Sequence, residues 1–159
     1  MSRSGKITKR VNAPDSLYGN RLIGKLINVI MRDGKKSIAQ KHIYQTLEII
    51  GQKTKQDALT VLRQALDNVK PSMEVRSRRI GGAAYQVPTP VRGERRESLS
   101  IRWVVNAARA RSNREFHHFS EKLAAELLDA LNNQGGAMEK KNQMTKMAEA
   151  NKAFSHFRW

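Results

Sequence analysis

Arg76, Arg78 and Arg79 share a short segment with Tyr85, and Arg92, Arg95, Arg96, Arg102, Arg109 and Arg111 follow within twenty residues. Guanidinium is planar, permanently charged and forked, so it can grip two phosphate oxygens at once. A tyrosine bracketed by such groups offers a face on which a base can stack. The chemistry implied is the holding of phosphates and bases. Lysine prevails elsewhere, at Lys35-Lys36, Lys140-Lys141 and Lys146. A compact ammonium favours diffuse attraction over directional contact. Arg3, Lys6, Lys9 and Arg10 crowd residues 1–18 against a single acid, Asp15.

Other chemistries find less support. Gly34-Lys35-Lys36-Ser37 has the ending of a phosphate loop, but that motif needs a glycine five positions upstream, where Val29 stands. It reads instead as a basic interhelical turn. His117 and His118 are adjacent and cannot share a helical face, while His42 and His156 lie in other segments, so no metal-ligand spacing emerges. Asp15, Asp33, Asp57 and Asp67 sit near turns and fit capping and solvation better than acid–base work. The chain has no cysteine, which removes disulfides, thiolate nucleophiles and cysteine-ligated zinc. No cofactor is expected and no enzymatic constellation is present.

The elements that must position these groups are mostly helices. Leu22, Ile23, Leu26, Ile27, Ile30 and Met31 recur at helical spacing up to Asp33-Gly34. A second helix is expected over Ser37–Ile50, with Ala39, Ile43, Leu47 and Ile50 inward and Gly51 as its cap. Asp57 is placed to cap a third, whose stripe is Leu59, Leu62, Leu66 and Val69 and which Pro71 ends. A fourth runs from about Arg95 to Ala110 with Leu99, Trp103 and Ala107 inward, placing Arg95, Arg102 and Arg109 on one outer face. Phe116, Phe119, Leu123, Leu127 and Leu131 mark a fifth. Gly135-Gly136 breaks it, and Met138, Met144, Met147, Ala148, Asn151 and Phe154 suggest a sixth, with the methionines as core filling or a soft packing surface.

Between the third and fourth helices lies the exception, a basic β-hairpin at about residues 73–88. Gly81-Gly82 can adopt positive φ at both turn positions. That turn pairs Ile80 with Ala83, Arg78 with Tyr85 and Arg76 with Val87 on one face, leaving Arg79 and Gln86 on the other. Each strand extends about 20 Å at the usual rise, and two strands alone are only marginally stable, so the root must pack on helices. The fold expected is mainly α: a single domain of about six helices, residues 19–159, with a protruding two-stranded antiparallel hairpin and a basic N-terminal tail over 1–18.

Thirty Lys and Arg against 14 acids give a net charge of +16 in 159 residues. Such self-repulsion is tolerated when a polyanion neutralises it, and nucleic acid leads. Charge alone leaves RNA, DNA and an anionic membrane surface open. No apolar run is long enough to span a bilayer and no secretory segment is evident, so a soluble, unexported protein is expected. Spread over tail, turns, hairpin and helix, the charge suits a folded RNA gripped on several sides, since the A-form major groove does not admit a recognition helix.

The most specific segments are Asn28-Val29-Ile30-Met31, Asp33-Gly34-Lys35-Lys36-Ser37, Arg79-Ile80-Gly81-Gly82 with Tyr85-Gln86-Val87-Pro88, Arg102-Trp103, and Met147–Phe154 with His156 and Arg158-Trp159. From about Pro14 to Trp159 the chain resembles the family of ribosomal protein seven of the small subunit in its bacterial form, departing mildly at Met73 and Ala84. The resemblance implies a structural protein bound to the 3′ major (head) domain of small-subunit ribosomal RNA, helping to nucleate head assembly. It further implies a place beside exit-site transfer RNA and messenger RNA, with the small-subunit protein numbered eleven as a neighbour. The cytoplasmic ribosome is the expected location, with an organellar ribosome of bacterial type as the alternative. Carried onto this chain, the ribosomal RNA surface comprises Arg3, Lys6, Lys9, Arg10, Lys35, Lys36, Arg76, Arg78, Arg79, Arg92, Arg95, Arg96, Arg102, Arg109 and Arg111. The hairpin tip, Ile80, Gly81, Gly82, Ala83, Ala84 and Tyr85, with part of the last helix, faces transfer RNA and messenger.

Overall fold

A computed structural model describes residues 13–158; Arg3, Lys6, Lys9, Arg10 and Trp159 fall outside them. Six α-helices and one hairpin follow in the order α1 (Arg21–Ile30), α2 (Lys36–Thr54), α3 (Ala58–Val69), β1 (Met73–Ile80), β2 (Ala83–Pro90), α4 (Gly93–Ala110), α5 (Phe119–Leu131) and α6 (Gly136–Ala150). A 3₁₀ segment, Lys152–Phe157, closes the described chain. The mainly helical fold with its antiparallel hairpin is as the sequence predicts.

α5 forms the centre, packed by α2, α3 and α4. Leu123, Ala124, Leu127 and Ala130 on α5 are fully buried, as are Ile43 and Ile50 of α2 and Val61, Ala65 and Val69 of α3. The predicted inward stripes of α1 and α2 are buried where expected, at Ile23, Leu26, Ile27 and Ile30, and at Ala39, Ile43, Leu47 and Ile50. α4 buries Leu99 and Trp103 together with Ile101, Val104, Val105 and Ala108, a wider face than periodicity suggested.

Helix ends follow local chemistry in some places and depart from expectation in others. Asp57 caps α3, its Oδ2 accepting the Thr60 N–H at 3.1 Å. Gly51 does not end α2. The helix continues to Thr54 and closes on Lys55, whose φ of +54° supplies the left-handed cap conformation. α5 begins at Phe119 rather than before Phe116, because Glu121 Oε2 accepts the N–H groups of His117 and His118 at 3.1 and 3.2 Å and sets the first turn there. These two bonds, the one from His118 foremost, hold the Glu121 carboxyl below its ordinary range. α6 ends at Ala150 instead of continuing through Phe154. The chain tightens at Asn151 into the 3₁₀ segment.

The hairpin register matches the expected one: Ile80 opposes Ala83, Arg78 opposes Tyr85 and Arg76 opposes Val87. Gly81 and Gly82 take φ of +55° and +89°, the mirror-image turn whose twist fits an antiparallel pair. The root is anchored. Val87 and Pro88 are buried, α6 packs on both strands and the 3₁₀ segment packs on β2.

Asp15 departs from simple solvation. It is buried, and Oδ2 accepts the N–H groups of Leu17 and Tyr18 while Oδ1 takes the Tyr44 hydroxyl at 2.9 Å. Burial, then this bond, raise the Tyr44 phenol above its ordinary pKa. Residues 15–20 are thereby strapped onto α2.

Candidate nucleic-acid interface

The predicted arginines divide into two populations. In the first, the hairpin root meets the start of α4. Glu74, on β1 beside Arg76, is 4% exposed. Its Oε1 accepts Arg76 Nε at 2.6 Å and its Oε2 accepts Arg95 Nε at 3.2 Å. One buried carboxylate thus holds two guanidinium groups that are themselves half in water, leaving a net positive charge at the junction. Arg96 Nε donates to the Pro71 carbonyl at 3.0 Å, fixing α4 against the approach to β1. Arg78, Arg79, Arg92 and Arg102 are exposed and form no ion pair with the described residues. Arg76, Arg78, Arg92, Arg95 and Arg102 therefore make a basic strip along hairpin and helix, with Arg79 on the hairpin's other face.

The second population is engaged within the protein. Arg111 pairs with Glu126 (2.7 Å) and with Asp129 on α5, and its guanidinium lies 5.8 Å from the Phe116 ring centroid. Burial pulls its pKa down, but the bonds to Asp129 and Glu126 outweigh this and hold it above the ordinary value. Glu126 is 1% exposed. Its other oxygen accepts the Ala137 N–H at 2.9 Å, so one carboxylate joins the end of α4, the middle of α5 and the start of α6. Gly135 permits the approach, with φ at +92° and space so restricted that a Cβ would fall 2.9 Å from Glu126 Oε1. Lys122, also buried, donates to the Arg111 carbonyl and to Asn113 Oδ1.

Arg109 has other partners than Arg95. It donates to the Ile30 carbonyl at 3.1 Å, near the end of α1 where helical carbonyls need partners. There it borders a cleft of about 460 Å³ with Arg32, Lys35 and His42. Burial, then repulsion from Arg32, lowers the Arg109 pKa. Lys36 begins α2 and is exposed. Nδ1 of His42 is sealed from solvent without a hydrogen-bond partner among the described residues. Burial, with positive charge at His118 and Lys41, lowers its pKa and favours the uncharged ring. Arg32 was not singled out by sequence, and His42 was considered only as a metal ligand and set aside; the basic turn beside Arg32 was the available signal.

At the arm's far end, Ile80 is half-buried and Gly81, Gly82, Ala83 and Ala84 are exposed. Tyr85 differs from this group. Its ring lies 5.4 Å from Phe154 and 5.3 Å from Phe157, centroid to centroid, so it joins the hairpin to the 3₁₀ segment.

No cluster of His, Asp or Glu that could hold a metal occurs among the described residues, and none of their helices is long and apolar enough to cross a membrane. Exposed arginines along the hairpin and α4 define a basic, mainly helical protein of the class that binds polyanions. Comparison with known proteins gives that class a family. Residues 2–152 match the family described as ribosomal protein S7p/S5e. Across the full length of both chains, this chain is 56% identical to the small ribosomal subunit protein uS7 of Moorella thermoacetica, 55% to that of Carboxydothermus hydrogenoformans and 53% to that of Beijerinckia indica subsp. indica. The chain belongs to the S7p/S5e family of ribosomal proteins, in its bacterial small-subunit form, whose members are structural, RNA-binding and not enzymes.

Proposed function

We propose that this chain binds the 3′ major domain of small-subunit ribosomal RNA, helps the head of the subunit fold, and lines the path of exit-site transfer RNA and messenger with its hairpin tip. The observation that carries the reading is the strip of exposed arginines from Arg78 through the Glu74 junction to Arg102. Folding RNA forces phosphates together, and a preformed positive surface lowers that electrostatic cost while fixing helix junctions. Lys35, Lys36 and the basic residues 3–10 extend the surface. Arg109 and Arg111 support it mainly from within, through their contacts to α1 and α5.

The hairpin tip, Ile80–Ala84, exposed from Gly81 onward, acts by steric presence beside transfer RNA and messenger, and the small-subunit protein numbered eleven lies nearby. Tyr85 serves this role indirectly by bracing the arm. The protein makes and breaks no bond.

Binding to a transcribed 3′ major domain fragment over a salt series tests the surface. Arg95→Ala and Arg102→Ala should each weaken binding and reduce the salt slope by about one phosphate contact's worth. Parent-like affinity and slope in both would remove them from the interface. Deleting Ile80–Ala84 should leave this binding intact while altering retention of exit-site transfer RNA in reconstituted ribosomes.

A further inference from the structure

The cleft between the α1–α2 turn and the segment joining α4 to α5 combines an apolar lining with a positive rim. Met31, Ile38, His42 and Phe119 supply the apolar and aromatic part. The His42 and Phe119 rings meet edge to face, centroids 5.8 Å apart at 79°. Ile38 is 52% exposed, an apolar side chain left in water by the fold. On the rim stand Arg32, Lys35 and Arg109, opposed by Asp33. Repulsion from Arg32 already adds to burial in depressing the Arg109 pKa.

Both features raise the free energy of the unbound protein, and one kind of ligand relieves both: a group flat and stackable at one end and anionic at the other. A nucleotide has that chemistry. The orphaned Nδ1 of His42 adds a third observation, because a buried polar atom without a partner is costly and calls for a reason. An uncharged imidazole suits the edge of a base better than a phosphate. The volume, about 460 Å³, lies within the range of small-molecule pockets.

Building on the RNA-binding reading above, we propose that this cleft receives one unstacked nucleotide of the bound RNA. Its base lies over Phe119, its phosphate lies against Arg32 and Lys35, and the His42 ring, edge-on to Phe119, turns to bring Nδ1 to the base edge. The arginine strip grips the backbone; the cleft fixes the register of the RNA at one nucleotide.

Full-length variants and the 3′ major domain fragment test this. His42→Leu removes the orphaned nitrogen at similar volume, so the free protein should resist urea at least as well as the parent. Its affinity for the fragment should fall roughly tenfold, the scale of one lost hydrogen bond to the base edge. Opposite movements of stability and binding are a signature that a merely structural histidine does not give. Lys35→Ala should weaken binding and lower the salt slope by about one. With p-benzoylphenylalanine in place of Ile38, irradiation of assembled subunits should crosslink the protein to a single unpaired nucleotide. Parent-like binding by His42→Leu, crosslinks scattered along the RNA, or a crosslink to a protein would each overturn the cleft assignment while leaving the arginine strip in place. If the parent itself shows no preference for the fragment over duplex RNA of equal length, the underlying RNA reading falls as well.

Discussion

Glu126 shows how much of the basic character of this chain is supported by a few buried acids. Its carboxylate pairs with Arg111 and accepts the Ala137 N–H, so replacing it leaves a largely buried guanidinium short of a partner and a helix start short of an acceptor. Breaking a buried pair from one side costs about 3–5 kcal/mol. Glu126→Leu should therefore lower the urea midpoint sharply, with the double variant Arg111→Met, Glu126→Leu recovering part of the loss. Full retention of the midpoint by the single variant would show that Asp129 alone holds Arg111. None of this is legible in the sequence. Arg111 and Glu126 are fifteen positions apart with a loop between them, and in a chain this basic an isolated arginine reads as available for RNA.

The elements were more legible where a strong local rule acts. Gly81-Gly82 specified both turn and register, and Asp57 specified the start of α3. Gly51 misled because a glycine facing open space is tolerated inside a helix, and Lys55 could take the left-handed cap instead. The break after Ala150 was hidden for a different reason. Phe154 keeps helical spacing with α6, yet its partner is Tyr85 on β2, a contact set by tertiary packing. This aromatic contact makes the hairpin a braced element. Aromatic pairs contribute about 0.5–1.5 kcal/mol beyond the area they bury. Phe154→Ala with Phe157→Ala should speed amide exchange in residues 78–86 while leaving the exchange of α5 unchanged. Equal exchange in both proteins would mean that the root alone holds the arm.

For the whole molecule, a net charge of +16 on a small fold is a standing repulsion that the described ion pairs only partly offset. Screening shortens its reach from about 30 Å at 0.01 M salt to about 8 Å at 0.15 M. The free protein should accordingly melt at a higher temperature as sodium chloride rises from 0.01 to about 0.15 M, even as its affinity for RNA falls. A melting temperature that falls over this range would show that ion pairs, rather than repulsion, dominate the folded state. The overall sign of the surface was plain in the sequence. Its division into exposed and internally engaged arginines was not, because that depends on which acids the fold brings near.

The shared carboxylate at the hairpin root bears on the kinetics of binding. Ordering a long side chain at an interface costs about 0.5–1.5 kcal/mol, and Glu74 has already ordered Arg76 and Arg95 in the folded protein. In the proposed RNA complex their guanidinium groups would meet an incoming phosphate with little left to rearrange, so encounter would proceed at the rate that long-range attraction allows. Glu74 would repel phosphate by its own charge, yet by holding two arginines still it would shorten the interval between collision and docking.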